Sequence, residues 1–343
     1  MSDANNTAML EPLEYLYSTN ATAQPERSKG LEGHEIPASG PGEATSDSNI
    51  SPPGSAPSVP GLSVEDPRFS NVPKVVIEVR SGWRLFNLRE MVQYRDLLYF
   101  MVLRDVTVLY KQTVLGISWA ILTPFFSMVV FSVIFGMLLR VGSDGKPYPI
   151  FSFVALLPWT YFSSALTGAT SSLINGSATF TKVYFPRLFI PLVPIFSKLV
   201  DFVIAFSMLA LMMVYFKIAP SWNLIFLPLL IVLMIVTAAG AGMLLAALAL
   251  QYRDVRHAIS ALVQILMYAA PVVWPVSKIP GRFRLWYGLY PMVGVIEGFR
   301  AAVVQTSPMP WDLIGMGSIT AIILFVIGAF YFRKTERFFA DVA

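Results

Sequence analysis

Six stretches of the chain are apolar over roughly the twenty residues that a helix needs to cross a bilayer core. They fall at about 114–139, 150–173, 195–216, 224–250, 258–276 and 313–332. The second is unusually polar for a span, carrying Ser152, Thr160, Ser163, Ser164, Thr167, Thr170, Ser171 and Ser172, and Pro158 should kink it. Ser164, Gly168 and Ser172 recur at intervals of four, as do Ala238, Gly242 and Ala246 in the fourth span. Small residues at that spacing let helix backbones approach closely. Ahead of the first span, residues 83–112 read as an amphipathic helix. Arg89, Asp96, Arg104 and Lys111 share one face, with Leu88, Met91, Leu98, Val102, Val106 and Leu109 on the other. A basic amphipathic helix of this kind lies in the membrane interface, although a solvated helix face gives a similar pattern. Residues 277–312 are too broken for a span, being punctuated by Lys278-Ile279-Pro280-Gly281 and by Tyr290-Pro291. Pro291 suits the first turn of a helix running to about Val304. The reading is two short helices that dip into the outer leaflet and return, with an ordinary extracellular loop as the alternative. The fold class expected is an all-α membrane protein. It has six transmembrane helices, an N-terminal interfacial amphipathic helix and short re-entrant outer helices between spans five and six.

Residues 1–73 belong to a different regime. They show no apolar period, and nine prolines fall within the first 70 residues, so the stretch is expected to be a disordered cytoplasmic tail. It lacks the basic start and apolar run of a signal peptide. Ten Asp/Glu against three Lys/Arg make it acidic, whereas 22 Lys/Arg against 11 Asp/Glu make residues 74–343 basic. The whole chain is 55% hydrophobic and 13% charged, about half the charge of an ordinary soluble domain. Residues 74–343 are therefore read as the transmembrane domain. With the amino terminus inside, the short inner segments hold 14 Lys/Arg and the outer ones seven, the bias expected for cytoplasmic N- and C-termini.

Candidate chemistry is sparse. There is no cysteine, and His34 and His257 lie in different segments, so neither a thiolate site nor a histidine metal cluster is expected. The string GSDGKP at 142–147 lacks the spacing of a phosphate loop and the hydroxyl residue after its lysine. An enzyme acting alone is excluded on these grounds. Ion-coupled carriers place ionisable groups deep in the membrane, but the acidic candidates here sit three residues from cations. Asp201 follows Lys198 near the cytoplasmic end of the third span, and Glu297 precedes Arg300 in the broken outer segment. Both are read as structural pairs, the second at the outer surface, so the energy source is expected to be a partner.

Four segments carry a resemblance. LRDVTVLYKQTVLGISWAILTP at 103–124 resembles the entry to the first span of type-2 ABC exporter permeases that export polysaccharides. KVYFPR at 182–187 is similar to that family's loop between spans two and three, and YRDVRH at 252–257 to its loop between spans four and five. YPMVGVIEGFR at 290–300 resembles its second outer re-entrant helix. The resemblance covers about 80–340 in order and is not specific to one glycan; the acidic tail is outside the usual pattern.

The resemblance implies a permease half-subunit in the bacterial cell inner membrane. Two copies would pair with two copies of a separate ABC ATP-binding subunit, which holds the ATP and Mg; this chain carries no cofactor and binds no nucleic acid. The cargo would be a lipid-linked polysaccharide of O-antigen or capsule type, or alternatively a teichoic-acid-like polyol-phosphate polymer. An ion-coupled secondary carrier and a membrane scaffold with a recruiting tail are the readings from other classes. Residues implied in ATPase coupling are Arg104, Lys111, Lys182, Arg187, Arg253 and Asp254. Tyr290, Pro291, Glu297 and Arg300 would form the outer gate. Sugar rings stack on aromatics, and the candidates are Tyr148, Trp159, Tyr161, Phe162, Tyr268, Trp274, Trp286, Tyr287 and Tyr290. Aromatics also gather at membrane interfaces as anchors.

Overall fold

The computed structural model describes residues 92–111, 116–175 and 185–335. The chain divides into two units, residues 1–77 and 78–343, and every described residue belongs to the second. The acidic tail, Leu88, Arg89, Met91 and Lys182 lie outside the described residues.

Among the described residues every regular element is helical. Helix α1 spans Arg95–Lys111. Helix α2, Ser118–Phe131, continues into a π-helical segment Ser132–Leu138. Then follow α3 (Tyr148–Asn175), α4 (Phe189–Tyr215), a 3-10 turn at Trp222–Phe226 and α5 (Leu227–Gln251). Helix α6 is Arg253–Ala269, α7 Gly281–Gly288, α8 Pro291–Val303 and α9 Trp311–Thr335. The starts and stops follow local chemistry. Ser221 accepts from the Asn223 amide at 3.2 Å to open the turn before α5. Tyr290 is extended before Pro291, which opens α8 as expected. Asp312 near the start of α9 and Arg333 and Lys334 near its end complement the helix dipole. Helix α3 remains one helix through Pro158.

Five helical stretches are long and apolar enough to cross a membrane: Ser118–Leu138, Tyr148–Asn175, Phe189–Tyr215, Trp222–Gln251 and Trp311–Thr335. The sequence expectation of a further span at 258–276 meets a different element. Helix α6 begins earlier, is only 17 residues long and ends at Ala269. Pro271 explains the stop, because the residue before a proline is pushed out of the helical region; Ala270 is extended, at φ −81° and ψ 151°.

Helix α3 is the centre of the bundle, buried along much of its length and packed against α2, α4, α5 and α8. Small residues at four-residue spacing do lie at close approaches. A Cβ at Gly168 would come within 2.9 Å of Pro194 in α4, and one at Gly242 within 2.8 Å of Ala169 in α3. The tightest crossing is between α5 and α9, where a Cβ on Gly328 would stand 2.2 Å from the Gly240 carbonyl oxygen. Helices α7 and α8 cover the end of the bundle at which α9 begins, and α8 also packs against α3, α5 and the turn before α5.

Candidate functional site

At the opposite end of the bundle, α1 lies on α4. Its half-buried side, Leu98, Met101, Val102, Asp105 and Val106, recurs at helical spacing. Two polar links fasten it. Ser197 Oγ donates to Asp105 Oδ2 at 2.5 Å, and the Tyr110 hydroxyl donates to Asp201. Asp201 also forms the expected pair with Lys198, at 2.9 Å. Asp105 and Tyr110 were not singled out from sequence. The available signal was an acid interrupting the apolar side of an amphipathic helix, which asks for a polar partner when buried. A cavity of about 270 Å³ opens beside this network, bordered by Tyr110, Trp119, Thr160, Tyr161, Lys198 and Asp201.

The described members of the expected coupling set, which leaves out Lys182, are distributed over the same end. Arg104 and Lys111 are exposed on α1, and Arg253 and Asp254 are exposed at the start of α6. Arg187 is half-buried just before α4.

The outer-segment residues are arranged differently from expectation. Glu297 and Arg300 do pair, at 2.8 Å, but inside the protein: Arg300 is fully buried and Glu297 is 6% exposed. The sequence reading of a surface pair missed this because all of α8 is enclosed by its neighbours. Arg300 donates to the carbonyls of Val272 (2.9 Å) and Trp274 (3.3 Å), and its guanidinium carbon lies 3.7 Å from the centre of the Phe151 ring. The face of an aromatic ring attracts a cation at that range. Glu297 Oε1 accepts from the Val276 amide at 3.3 Å. Val293, Ile296 and Val304 are fully buried. Tyr290 is half-buried and Pro291 buried at the head of α8.

Of the aromatic candidates, Tyr148, Trp159, Tyr161 and Phe162 are packed into the core of the chain. Of these four, Tyr161 borders the cavity. Trp274 stacks on Tyr287 with ring centres 5.6 Å apart. Tyr268 and Trp286 are the well-exposed members, at 58% and 74%.

The exposed faces of the helices fall into two kinds. On α2 and its π-helical continuation the exposed residues include Phe126, Val130, Val133 and Met137, and on α9 Ile319, Ile323, Val326 and Phe330. Those faces suit lipid. The adjacent helices α3 and α6 expose polar residues as well, Ser164 and Thr167 on α3 and His257, Ser260, Gln264 and Tyr268 on α6, the last four alongside exposed Leu262 and Ile265. Polar side chains in membrane segments face a bundle interior or a watery cavity rather than hydrocarbon. Among the described residues no three His, Asp or Glu side chains gather as a metal site.

Comparison with known proteins adds relatives that match this helical region. The chain is 27% identical over 254 residues to the O-antigen export system permease protein RfbA of Myxococcus xanthus, covering 73% of this chain and 97% of that protein. It is 25% identical over 248 residues to the protein of the same name from Klebsiella pneumoniae, covering 72% and 95%. It is 24% identical over 212 residues to the polysialic acid transport protein KpsM of Escherichia coli, covering 60% and 80%. The family model for the ABC-2 type transporter matches residues 96–304, from α1 to the end of α8. With more than half of its length inside that match, the chain belongs to the ABC-2 type transporter membrane family.

Proposed function

We propose that this chain is the permease half-subunit of an ATP-driven exporter that moves a lipid-linked polysaccharide, of the O-antigen or capsule type, across the bacterial inner membrane. Two copies work with two copies of a separate ATP-binding subunit, which supplies the ATP and Mg chemistry. The observation that carries the reading is the set of polar residues exposed on α3 and on α6. Ser164, Thr167, Ser260, Gln264 and Tyr268 offer hydroxyls, an amide and one ring, groups that exchange hydrogen bonds with a hydroxyl-rich chain and stack on its rings. No cation interrupts α6 between His257 and Tyr268, which favours a polysaccharide over a polyol-phosphate chain.

In this reading α6 and the turn after it supply the sixth crossing, since 17 residues alone reach about 25 Å. Helix α1 lies on the inner leaflet. Arg104, Lys111, Lys182, Arg187, Arg253 and Asp254 face the ATP-binding subunit. The segment from α7 to α8 re-enters the outer leaflet and gates the exit, with Tyr290 and Pro291 at its turn and Glu297 and Arg300 holding it in shape. Both termini are cytoplasmic.

The test is deletion and complementation. Cells lacking the chain should lose surface polysaccharide and accumulate lipid-linked polymer on the inner face, and the native chain should reverse both effects. A chain carrying Ser164→Leu, Thr167→Leu and Gln264→Leu should insert but fail to restore export. Unchanged surface polymer on deletion would refute the reading. Export that persists without any ATP-binding subunit would favour an ion-coupled carrier.

A further inference from the structure

The last carbonyls of a helix have no partner within it and are usually met by water or by a glycine-containing cap. Helix α6 ends at Ala270-Pro271, with no glycine. Side chains from other elements take over the task. The Tyr287 hydroxyl donates to Ala269 O at 2.7 Å, and the Tyr290 hydroxyl adds a longer contact, 3.4 Å, to Leu266 O, which already accepts from the Ala270 amide at 3.0 Å. Beyond the helix, Arg300 holds the carbonyls of Val272 and Trp274, and the Tyr148 hydroxyl donates to Val273 O at 2.8 Å. Glu297 receives the Val276 amide. The end of α6 and its following turn are thus gripped, backbone group by backbone group, from α3, α7 and α8.

The rest of α6 is held by apolar side chains, with Val263, Leu266 and Met267 packed against the core. Ile259 is its one buried residue, and its first residues, Arg253 and Asp254, are exposed after an extended break at Tyr252. A helix is stiff along its axis because each turn is tied to the next by backbone hydrogen bonds. A shaft held along its length by apolar side chains and fastened by its backbone at one end passes an axial displacement to whatever fastens it. Side-chain packing alone would let the neighbours slip.

We infer that α6 is a connecting rod that carries movement from the inner face to the outer segment, with Tyr287, Tyr290 and Arg300 as the positioning residues that grip its end. The inference rests on the exporter reading, because that reading supplies the inner-face movement at Arg253 and Asp254. It adds what transmits the movement and where the transmission can be cut.

The experiment uses the full chain assembled with its ATP-binding subunit in lipid nanodiscs. The chain has no cysteine, so single reporters are clean. One reporter is Ala258→Cys, exposed on α6, and the other is Leu285→Cys, exposed on α7. The rate of labelling by a hydrophilic maleimide is measured without nucleotide and with a non-hydrolysable ATP analogue. Both rates should change on nucleotide binding in the otherwise native chain. With Tyr287→Phe and Tyr290→Phe together, which keep the rings and remove the hydroxyls, the Ala258→Cys response should persist. The Leu285→Cys response should fall by about fivefold or more, the equilibrium worth of one neutral hydrogen bond. Tyr287→Phe alone removes the shorter bond and should give a smaller loss in the same direction, so the test stands if the double variant does not assemble. An undiminished Leu285→Cys response in the double variant overturns the rod. So does a native background in which the inner reporter responds and the outer one does not. If neither reporter responds in the native background, the exporter reading's inner-face movement fails and the rod fails with it.

Discussion

The crossing of α5 and α9 is governed by two glycines, and its tolerance can be worked out. Replacing Gly328 by alanine puts a carbon 2.2 Å from the Gly240 carbonyl oxygen, which belongs to backbone and cannot rotate away. Carbon and oxygen meet comfortably at about 3.3 Å, so the helices must part by about 1 Å. A gap of that size forfeits about a quarter to a half of each dispersion contact of about 0.1–0.2 kcal/mol. Over about thirty atom pairs the loss is about 1–3 kcal/mol, the usual range for overpacking. Between membrane helices it is not offset by a hydrophobic effect, since packing itself holds them together. Alanine also favours a helix over glycine by about 1 kcal/mol, so a control is needed. Gly315 lies in the same helix with nothing within 4 Å of its would-be Cβ. Thermal unfolding of purified chain in detergent, followed by the loss of monodisperse protein, should place Gly328→Ala below Gly315→Ala by about 4–8 °C. Equal stability of the two variants would refute the packing argument.

Further outcomes follow from the buried and polar contacts. Arg300→Met leaves Glu297 as an uncompensated buried charge and should cost about 3–5 kcal/mol; adding Glu297→Gln should recover part of that loss, and thermal unfolding of the single and double variants measures the coupling. Asp201→Asn weakens the link to Tyr110 and Lys198, so hydrogen exchange in α1 should quicken while the centre of α3 stays protected; unchanged exchange in α1 would show that the polar links do not fasten it. Arg104→Glu or Lys111→Glu should reduce copurification of the ATP-binding subunit, because basic groups near an anionic surface contribute about 1 kcal/mol each and reversal doubles the change; normal copurification and export in both would remove α1 from the docking surface. Arg187→Glu should lower ATP hydrolysis stimulated by cargo with the chain still inserted, and unaltered stimulation would remove that loop.

The apolar run lengths were enough to read a multi-helix membrane protein from the sequence, because crossing a bilayer is a demand on composition over a fixed length. Pro280, Gly281 and Pro291 likewise announced two short helices before α9, since proline and glycine act on their own backbone. Gly168 and Gly242 were legible as close-packing positions from their four-residue spacing. The stop at Pro271 was equally local and could have been read, but the apolar run through it drew the expected span on to 276. What lay beyond local pattern was partnership. No periodicity says that Gly240 faces Gly328, that Asp105 meets Ser197, or that Phe151 covers Arg300. The Glu297–Arg300 pair follows from a spacing of three residues, but its burial follows from the five other elements that enclose α8. Side-chain spacing along one helix determines which residues share a face; which distant residues fill the space opposite that face is decided only when the helices pack.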